Sequence, residues 1–383
     1  MAAKAWLAIF LAAICTAGPV TSSRDDVEPP TDKNATVKQW NQMVDRAVDY
    51  LRAHQRDDGS WSEDRSPGIT GVVITGLLAT GKVSPVDPMI ERGLKYIESL
   101  VNEEAGHIAG KNPAVQLKNY VTCVNVMALC LANRSDRYKK VIGDAVEFLK
   151  HLQWDEEEGK LPSDDFYGGA GYDSQSRPDL SNTQYFLDAL QAAGIPKDDP
   201  AVKKALVFVS RCQNLKGEYN DQAWADKIND GSFIYSAAGG GQTKAEPGPG
   251  GRLPGYGSMT YAGVKSMIYC GVSKDDPRIQ KAFEWIKKHY TVDENPGMSK
   301  GRASWGLYYY YHTMAKTLRT LELDEVTDAQ GKKHDWRADL TGALAKRQRP
   351  DGSWANINHW MEADPNLVTG YSLMALAYCR PKD

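Results

Sequence analysis

The chain has 383 residues, of which 42% are hydrophobic and 25% are charged, and its formal net charge is −3. This composition is typical of a globular protein and excludes a disordered chain and a bundle of membrane-spanning helices. Because basic residues are not in excess, no nucleic-acid partner is expected.

The first 17 residues have the layout of a secretory signal peptide. Lys4 precedes an apolar run over residues 5–14, and Cys15 and Ala17 place small residues before a cleavage position. The run is too short to cross a bilayer, which takes about 20 apolar residues. A retained N-terminal anchor is the alternative. We predict export to the periplasm or the extracellular space, with a signal peptide at 1–17, a flexible tether at 18–39 and a folded domain at 40–383.

An element of the form Gln-x3-Gly-x-aromatic recurs along the chain. It reads QRDDGSW from Gln55, QNLKGEY from Gln213 and QRPDGSW from Gln348, and a degenerate copy begins at Gln153. Each copy follows an amphipathic stretch with apolar residues at helical spacing. Glycine ends such a helix because a positive φ costs it little. The pattern predicts outer helices near residues 42–55, 87–101, 137–152, 199–212, 276–289 and 335–348.

More apolar stretches alternate with these helices, and five of them begin with a threonine: Thr70, Thr122, Thr183, Thr260 and Thr369. A sixth stretch fits if Leu307 takes the place of the threonine. We expect threonine to cap the backbone N–H groups at each helix start. Because a helix buried on two sides is apolar over most of its surface, these six stretches are predicted to be inner helices. The sequence thus predicts an all-α repeat of six hairpins, either an open solenoid or a closed ring.

The Gln-x3-Gly-x-Trp element, paired with a Thr-led inner helix, resembles the terpenoid cyclase and protein prenyltransferase superfamily. More closely, the chain resembles the prenyltransferase/squalene-oxidase-repeat proteins and the C-terminal half of squalene–hopene cyclases. The stretches that carry the resemblance best are QRPDGSWANINHWMEADPNLVTGYSLMALAYC and GLYYYYHTMAKTL. The resemblance implies an α6–α6 toroid whose inner helices surround a hydrophobic cavity for isoprenoid chains.

Two sites of that superfamily are incomplete here. The D-x-D-D-T acid motif of the cyclases falls on residues 179–183, where Asp179 is kept but Ser181 and Asn182 replace the later carboxylates. The zinc-binding histidine of the prenyltransferases falls on Val368, and their Asp-x-Cys pair does not occur. Neither the usual alkene-protonating acid nor the zinc site is therefore expected. No cofactor and no metal site are predicted, and a divalent cation held by scattered carboxylates stays an alternative.

Candidate functional residues lie in the two glycine-rich loops 167–179 and 221–257, in the aromatic run 305–312, and in the loop before the last inner helix. Trp305, Tyr308 and His312 are expected to share one helical face. The alternatives are helix capping for Asp179, core packing for the aromatic side chains and His312, and a surface insertion for residues 221–257. The candidate proton-transfer groups are Asp173, Asp179, Asp230 and His312. The candidate substrate-binding residues are Arg177, Tyr256, Tyr261, Trp305, Tyr308, Tyr309, His359 and Trp360.

The leading hypothesis is an exported toroid that binds an isoprenoid or other apolar small molecule in a central cavity. Whether it also transforms that ligand stays open at this point. If it is an enzyme, the resemblance implies a relative of the terpenoid cyclases or prenyltransferases. The first alternative is an exported polysaccharide lyase or glycosidase, and the second is a non-catalytic interaction scaffold. No transmembrane segment is expected in the mature chain, and the oligomeric state is left open.

Overall fold

The computed structural model describes residues 33–111, 117–357 and 359–381. The predicted signal peptide lies outside these residues, and the first helix begins at Lys33, inside the predicted tether. Strands β1 (Val326–Thr327) and β2 (Lys333–His334) form a small antiparallel hairpin. The α-helices of the described residues are α1 (Lys33–Ala53), α2 (Gly68–Ala79), α3 (Pro88–Ser99), α4 (Lys118–Ala132), α5 (Lys139–Lys150), α6 (Leu180–Ala192), α7 (Pro200–Arg211), α8 (Ala225–Ile228), α9 (Gly257–Tyr269), α10 (Pro277–Lys288), α11 (Leu307–Thr320), α12 (Trp336–Arg347) and α13 (Pro365–Tyr378).

Six inner helices form a closed ring, and this closure separates a toroid from an open solenoid. Helices α2, α4, α6, α9, α11 and α13 pack side by side in that order, and α13 returns to pack on α2. Helices α1, α3, α5, α7, α10 and α12 surround them, each packed against the inner ring. The prediction of an all-α toroid of six hairpins is confirmed.

Three of the outer helices, α3, α7 and α10, begin at strong start signals in the sequence. Asp87, Asp199 and Asp276 each cap a helix by accepting a hydrogen bond from the backbone N–H two residues later, and each is followed by proline. Proline fits the first helical position because its missing N–H has no helical partner there. Five of the six outer helices lie within two residues of their predicted bounds. The first was predicted to begin at residue 42 and begins nine residues earlier.

The repeated glutamines join neighbouring outer helices. The side-chain amide of Gln55 donates to the carbonyl of Gly59 at 2.9 Å and to that of Met89, in α3, at 2.8 Å. Gln348 bonds in the same way to its own loop glycine and to Met43 of α1, each at 2.9 Å. The last repeat is therefore tied to the first by the same bonds that tie consecutive repeats, and the outer ring also closes.

Two copies of the glutamine element use a different glycine from the one that the sequence pattern indicated. Gln153 bonds to the carbonyl of Gly168 at 2.8 Å, and Gln213 bonds to that of Gly231 at 3.0 Å. The intervening residues are insertions, so the nearer glycines are not equivalent to Gly59. Gly168 has a φ of +81°, and a Cβ there would lie 1.8 Å from the carbonyl oxygen of Lys204. A side chain at this position is therefore excluded on both counts.

The threonines of the inner helices do not cap their own helices, so that prediction is wrong. These threonines lie within the first five residues of their helices, and their hydroxyls accept hydrogen bonds from backbone N–H groups of the preceding loop. Thr70 accepts from Trp61 at 3.1 Å, and Thr369 accepts from Trp354 at 3.2 Å. Thr122, Thr183 and Thr260 make the corresponding bonds. Each threonine thus fixes an outer loop on the inner ring at the end that carries the cavity.

Candidate functional site

The N-terminal ends of the inner helices enclose a cavity of about 280 Å³. Apolar side chains from α2, α4, α9 and α13 form much of its wall: Ile69, Val72, Val121, Val124, Met259 and Leu367. Aromatic side chains form most of the remainder: Tyr120, Tyr172, Tyr235, Tyr256, Tyr309, Trp360 and Tyr371. Polar lining groups are few, and the two with ionisable side chains other than tyrosine are Lys244 and Glu362. A largely apolar wall with a few convergent polar groups is typical of a small-molecule site.

Loops complete the wall above the helix ends. Tyr172 comes from the loop between α5 and α6, and Tyr235 and Lys244 come from the long loop between α7 and α9. Trp360 and Glu362 come from the loop between α12 and α13. The long glycine-rich loop is therefore part of the cavity wall, and the alternative of a mere surface insertion is wrong.

Glu362 is a carboxyl group buried at the cavity wall, with 1% of its surface exposed. Its Oε1 accepts the backbone N–H groups of Tyr308 and Tyr309 at 2.9 Å each, and its Oε2 accepts the amide of Asn356 at 2.6 Å. Burial raises the pKa of Glu362 to about 7, although these hydrogen bonds favour the ionised form. Glu362 is thus poised to give or take a proton near neutral pH.

Lys244 is the cationic group of the cavity wall. Its ammonium lies 4.3 Å from the centroid of the Tyr235 ring, close enough for a cation–π interaction. Burial and the positive charge of Arg177 lower the pKa of Lys244. Among the described residues, no carboxylate forms an ion pair with Lys244, and its ammonium lies at the cavity wall over the Tyr235 ring.

Three hydroxyl groups are linked across one side of the cavity wall. The Tyr309 hydroxyl lies 2.8 Å from the Ser181 hydroxyl, and the Ser181 hydroxyl is also bonded to that of Tyr120. Behind them, the side-chain amide of Gln184 donates to the Tyr309 hydroxyl at 2.8 Å. This hydroxyl chain, Tyr120–Ser181–Tyr309, is continuous with the charged groups below the cavity through Gln184.

The charged cluster below the cavity consists of Asp188, Lys265 and Lys316. Asp188 and Lys265 are fully buried, with their oxygen and nitrogen atoms 2.7 Å apart, and Lys316 lies 2.9 Å from the other Asp188 oxygen. Lys265 also donates to the carbonyl oxygen of Gln184. Burial and the neighbouring Lys316 lower the pKa of Lys265 to about 8, against the opposing effect of Asp188. The two lysines hold the pKa of Asp188 below its ordinary value despite burial.

No protein-family model matches the sequence, and no curated protein matches it by sequence. Solved structures match it over most of their length. A variant of the type II terpene cyclase MstE from Scytonema, in complex with its substrate geranylgeranyl dihydroxybenzoate, gives a TM-score of 0.57 at 14% identity, covering 91% of this chain and 99% of that chain. The chain has the terpenoid cyclase-like α/α toroid fold.

Glycosidases share this toroid at similar distance. A glycosyl hydrolase of family 88 from Bacteroides vulgatus gives a TM-score of 0.55 at 10% identity, covering 89% of this chain and 98% of that chain. Another glycosidase gives a TM-score of 0.54 at 11% identity, covering 91% and 99%. Matches at such low identity establish the fold alone, because the same toroid carries unrelated activities at different sites.

The three aspartates predicted as proton-transfer groups lie outside the toroid cavity lining. Asp173 and Asp230 accept backbone N–H groups two residues later, at 3.0 Å each, and thereby fix turns. Asp179 caps α6 by accepting the backbone N–H of Asn182 at 2.8 Å. The capping alternative for Asp179 is therefore confirmed. Burial raises the pKa of Asp179, in opposition to the hydrogen bonds from Asn182.

His312 is fully buried behind the cavity wall. Its ring stacks on that of Tyr371, with centroids 5.7 Å apart, and Tyr371 separates it from the cavity. Burial and the positive charges of Lys265 and Lys316 lower the pKa of His312 to about 3. The imidazole is therefore neutral near pH 7, and its role as a proton-transfer group stays a prediction.

The predicted substrate-binding residues divide between the cavity and its surroundings. Tyr256, Tyr309 and Trp360 line the cavity. Trp305 stacks on His359 beside the mouth, with ring centroids 3.6 Å apart, and lies before the start of α11, so it does not share a helical face with His312. The others are not among the lining residues: Arg177, which bonds to Gln242, Tyr261, which packs on Tyr310, and Tyr308, which packs on Tyr311.

Sequence reasoning missed Glu362, Lys244 and the charged cluster. Glu362 lies between His359 and Asp364, which the sequence analysis had noted. The loop has no regular spacing, so the sequence does not indicate which of its side chains faces the cavity. The cluster did leave a signal. Asp188 and Lys265 each lie five residues after the leading threonine of an inner helix that is otherwise mostly uncharged. A charge in a helix expected to be buried on two sides needs a partner, which here comes from neighbouring inner helices.

The described residues contain no group of three or more His, Cys, Asp or Glu side chains arranged to hold a metal ion. None of the helices in the described ranges combines the length and apolar character that crossing a membrane requires.

Proposed function

We propose that this toroid binds an isoprenoid-like apolar small molecule in the cavity at the N-terminal ends of its inner helices. The observation that carries the proposal is the wall itself, built from aliphatic and aromatic side chains with Lys244 and Glu362 as its charged groups. Apolar surface that leaves water on binding contributes about 25 cal/mol per Å². Tyrosine rings add flat surfaces that suit branched, unsaturated chains.

The cavity size favours a short isoprenoid or one end of a longer chain. A volume of about 280 Å³ lies near the lower limit of sites for drug-sized ligands, about 300 Å³. The terpene cyclase that shares the fold was solved with a geranylgeranyl dihydroxybenzoate substrate, an isoprenoid chain attached to a polar head. Lys244 gives the present cavity a group that attracts an anionic or electron-rich head.

If the ligand is transformed, Glu362 is the group we assign to proton transfer. Its pKa near 7 makes it a weak acid, which is suited to moving protons on and off oxygen atoms. Protonation of an isolated alkene requires a much stronger acid. The proposed chemistry is therefore proton transfer at an oxygen-bearing end of the ligand, and differs from alkene-initiated cyclisation.

Lipid extraction and thermal melting of the purified full chain test the proposal. Native mass spectrometry identifies any lipid that co-purifies, and farnesol and geranylgeraniol are then added to the stripped protein. A ligand at 100 times its Kd stabilises the folded state by about 2.7 kcal/mol, which corresponds to a rise in Tm of roughly 4 °C for a chain of this length. No bound lipid and an unchanged Tm with both alcohols would contradict the proposal.

Two variants of helix α4 provide a matched pair. Val124 lines the cavity, whereas Leu131 lies on the same helix with 47% of its surface exposed. Val124→Phe should fill the cavity and abolish the rise in Tm caused by the alcohols. Leu131→Phe should leave that rise unchanged, because it adds the same ring outside the cavity.

A glycan ligand is the second candidate, and the aromatic mouth favours it. Trp305 and His359 stack there, and Trp360 is 41% exposed beside them, which provides ring surfaces for sugars. Glycosidases generally use two carboxyl groups about 5–10 Å apart. Among the described lining residues, Glu362 is the carboxyl group. Stabilisation by an oligosaccharide panel, without any response to the two alcohols, would favour this candidate.

A further inference from the structure

The hydroxyl chain ends on a group whose orientation is fixed by charge. An ammonium group has three hydrogen-bond donors and no acceptor. Because Lys265 contacts Gln184 with its ammonium, the Gln184 carbonyl oxygen must face Lys265. The amide nitrogen of Gln184 then faces the Tyr309 hydroxyl and donates to it. The buried lysine thus prevents Gln184 from offering an acceptor to the hydroxyl chain.

Counting protons along the hydroxyl chain gives a surplus of one donor. Tyr120, Ser181 and Tyr309 carry one hydroxyl proton each, and two hydrogen bonds join the three groups. Two protons are used in those bonds, and Gln184 donates rather than accepts. Within the described residues, no other hydrogen bond accepts the third proton. The direction of the two bonds decides whether this proton is on Tyr120, Ser181 or Tyr309, and all three residues line the cavity.

We infer that the cavity presents one unpaired hydroxyl proton to its ligand, and that the ligand therefore carries an oxygen acceptor such as a carbonyl, ether or epoxide. The inference rests on the proposed function, and it specifies which apolar molecules the cavity selects. The hydroxyl chain supplies the donor that binds the ligand, and Lys265 is a positioning residue that acts through Gln184. A hydrocarbon in the same place leaves the donor without a partner, which lowers its affinity.

The charged cluster contains two lysines, and Lys265 contacts Gln184. Variants of the two lysines therefore distinguish the effect of the Gln184 contact from the effect of losing one positive charge. Asp188 pairs with both lysines, so removing either one leaves a neutral ion pair. Lys265→Met also frees an Asp188 oxygen near the Gln184 amide, four residues earlier on α6. Gln184 can then turn its nitrogen to Asp188 and its oxygen to Tyr309, which absorbs the surplus proton. Lys316→Met removes the same charge but leaves Lys265 on Gln184, and is the matched control.

The experiment compares farnesyl methyl ether, which has an acceptor oxygen and no donor, with the hydrocarbon farnesene. Dissociation constants are measured by native mass spectrometry and by the rise in Tm. The unaltered protein should bind the ether about two- to tenfold more tightly, as expected for one net hydrogen bond. Lys265→Met should bring the ratio close to one, and Lys316→Met should retain it.

A second variant tests the same point without emptying the cluster. Gln184→Glu offers a carboxylate that accepts from both Lys265 and Tyr309, and it balances the charge of the two lysines. It should also abolish the ether preference, and it keeps the inference testable if Lys265→Met does not fold. A preference that survives Gln184→Glu or Lys265→Met overturns the role of Lys265.

The outcomes for the unaltered protein separate the two proposals. If both probes bind with equal affinity, the surplus donor is wrong and the apolar cavity stands. If neither probe binds, the proposed function is contradicted and the inference falls with it.

Discussion

The two ends of the inner-helix ring treat ionisable groups in opposite ways. At the N-terminal end, Glu362 and Lys244 line the cavity, and no ion pair joins them in the described residues. Burial raises the pKa of Glu362 and lowers the pKa of Lys244, which in each case favours the neutral form. Deeper in the ring, Asp188 forms ion pairs with Lys265 and Lys316, which keep Asp188 and Lys316 charged, although burial still lowers the pKa of Lys265. The ionisable groups without an ion-pair partner line the cavity, whereas the ion-paired groups lie between packed inner helices. Gln184 is the connection between the two ends.

The largest expected effect comes from breaking the charged cluster. Asp188→Ala leaves two buried lysines without a counter-charge, and we expect a loss of about 3–5 kcal/mol in the free energy of unfolding. Urea denaturation followed by circular dichroism measures this loss. Lys316→Met keeps one neutral pair and should cost much less. A loss below about 1 kcal/mol for Asp188→Ala would show that the cluster is not a paired, buried unit.

The cavity end should impose an acid-side pH dependence on stability. The folded pKa of Glu362, about 7, lies above its ordinary value of 4.5, so between these values the folded state binds a proton that the unfolded state lacks. Its contribution is complete below pH 4.5 and is lost as pH rises through 7, by about 3 kcal/mol. Denaturation at each pH, compared with Glu362→Gln, isolates this contribution. Parallel curves for the two proteins would contradict the assignment.

The charged cluster should make stability rise with pH in the alkaline range, opposite to the effect of Glu362. The folded pKa of Lys265, about 8, lies below its ordinary value of 10.5, so above pH 8 the unfolded state binds more protons. The contribution of Lys265 to stability therefore rises with pH, by about 2 kcal/mol between pH 8 and 10. Comparison with Lys265→Met in the same series of denaturation curves removes the titration of other groups. A difference that stays constant or falls over this window would be contrary to expectation.

The smallest effects should come from the aspartates in turns. Asp173→Ala and Asp230→Ala remove turn hydrogen bonds outside the cavity, at a cost of about 1 kcal/mol each. Neither should change the rise in Tm caused by farnesol, which Val124→Phe should abolish. If either aspartate variant loses the ligand response, that aspartate belongs to the binding site and the cavity contacts described here are incomplete.

The fold was predictable because its information is periodic. Apolar spacing and recurring glutamines placed five of the six outer helices within two residues. The threonines were recognised as repeated, but their bonds to outer-loop backbone groups depend on contacts between elements, which a helix-start pattern does not contain. Closure of the ring likewise depends on Gln348 meeting Met43, over 300 residues away in the chain.

The site was less predictable because most of its polar groups come from loops or from exact helix rotation. Glu362, and not His359 or Asp364, lines the wall, and no spacing distinguishes the three. On α11 the cavity-facing tyrosine is Tyr309, and Tyr308 packs away from the cavity. Helix α11 begins at Leu307, so Trp305 lies outside it. Helical spacing counted from Trp305 therefore selected the wrong face of the helix. Asp188 and Lys265 were visible as charges in inner helices, but their pairing requires knowing which helices are neighbours.

Closure of the inner ring has a consequence for how the chain folds. Helix α2 packs on α13, yet their first residues are about 300 positions apart. During synthesis, α2 emerges early and its apolar flank has no native cover until the last hairpin leaves the ribosome. Such uncovered apolar surface promotes association with other chains or chaperones. Completion of the protein, more than the folding of any single hairpin, is therefore the step at which this surface is sealed.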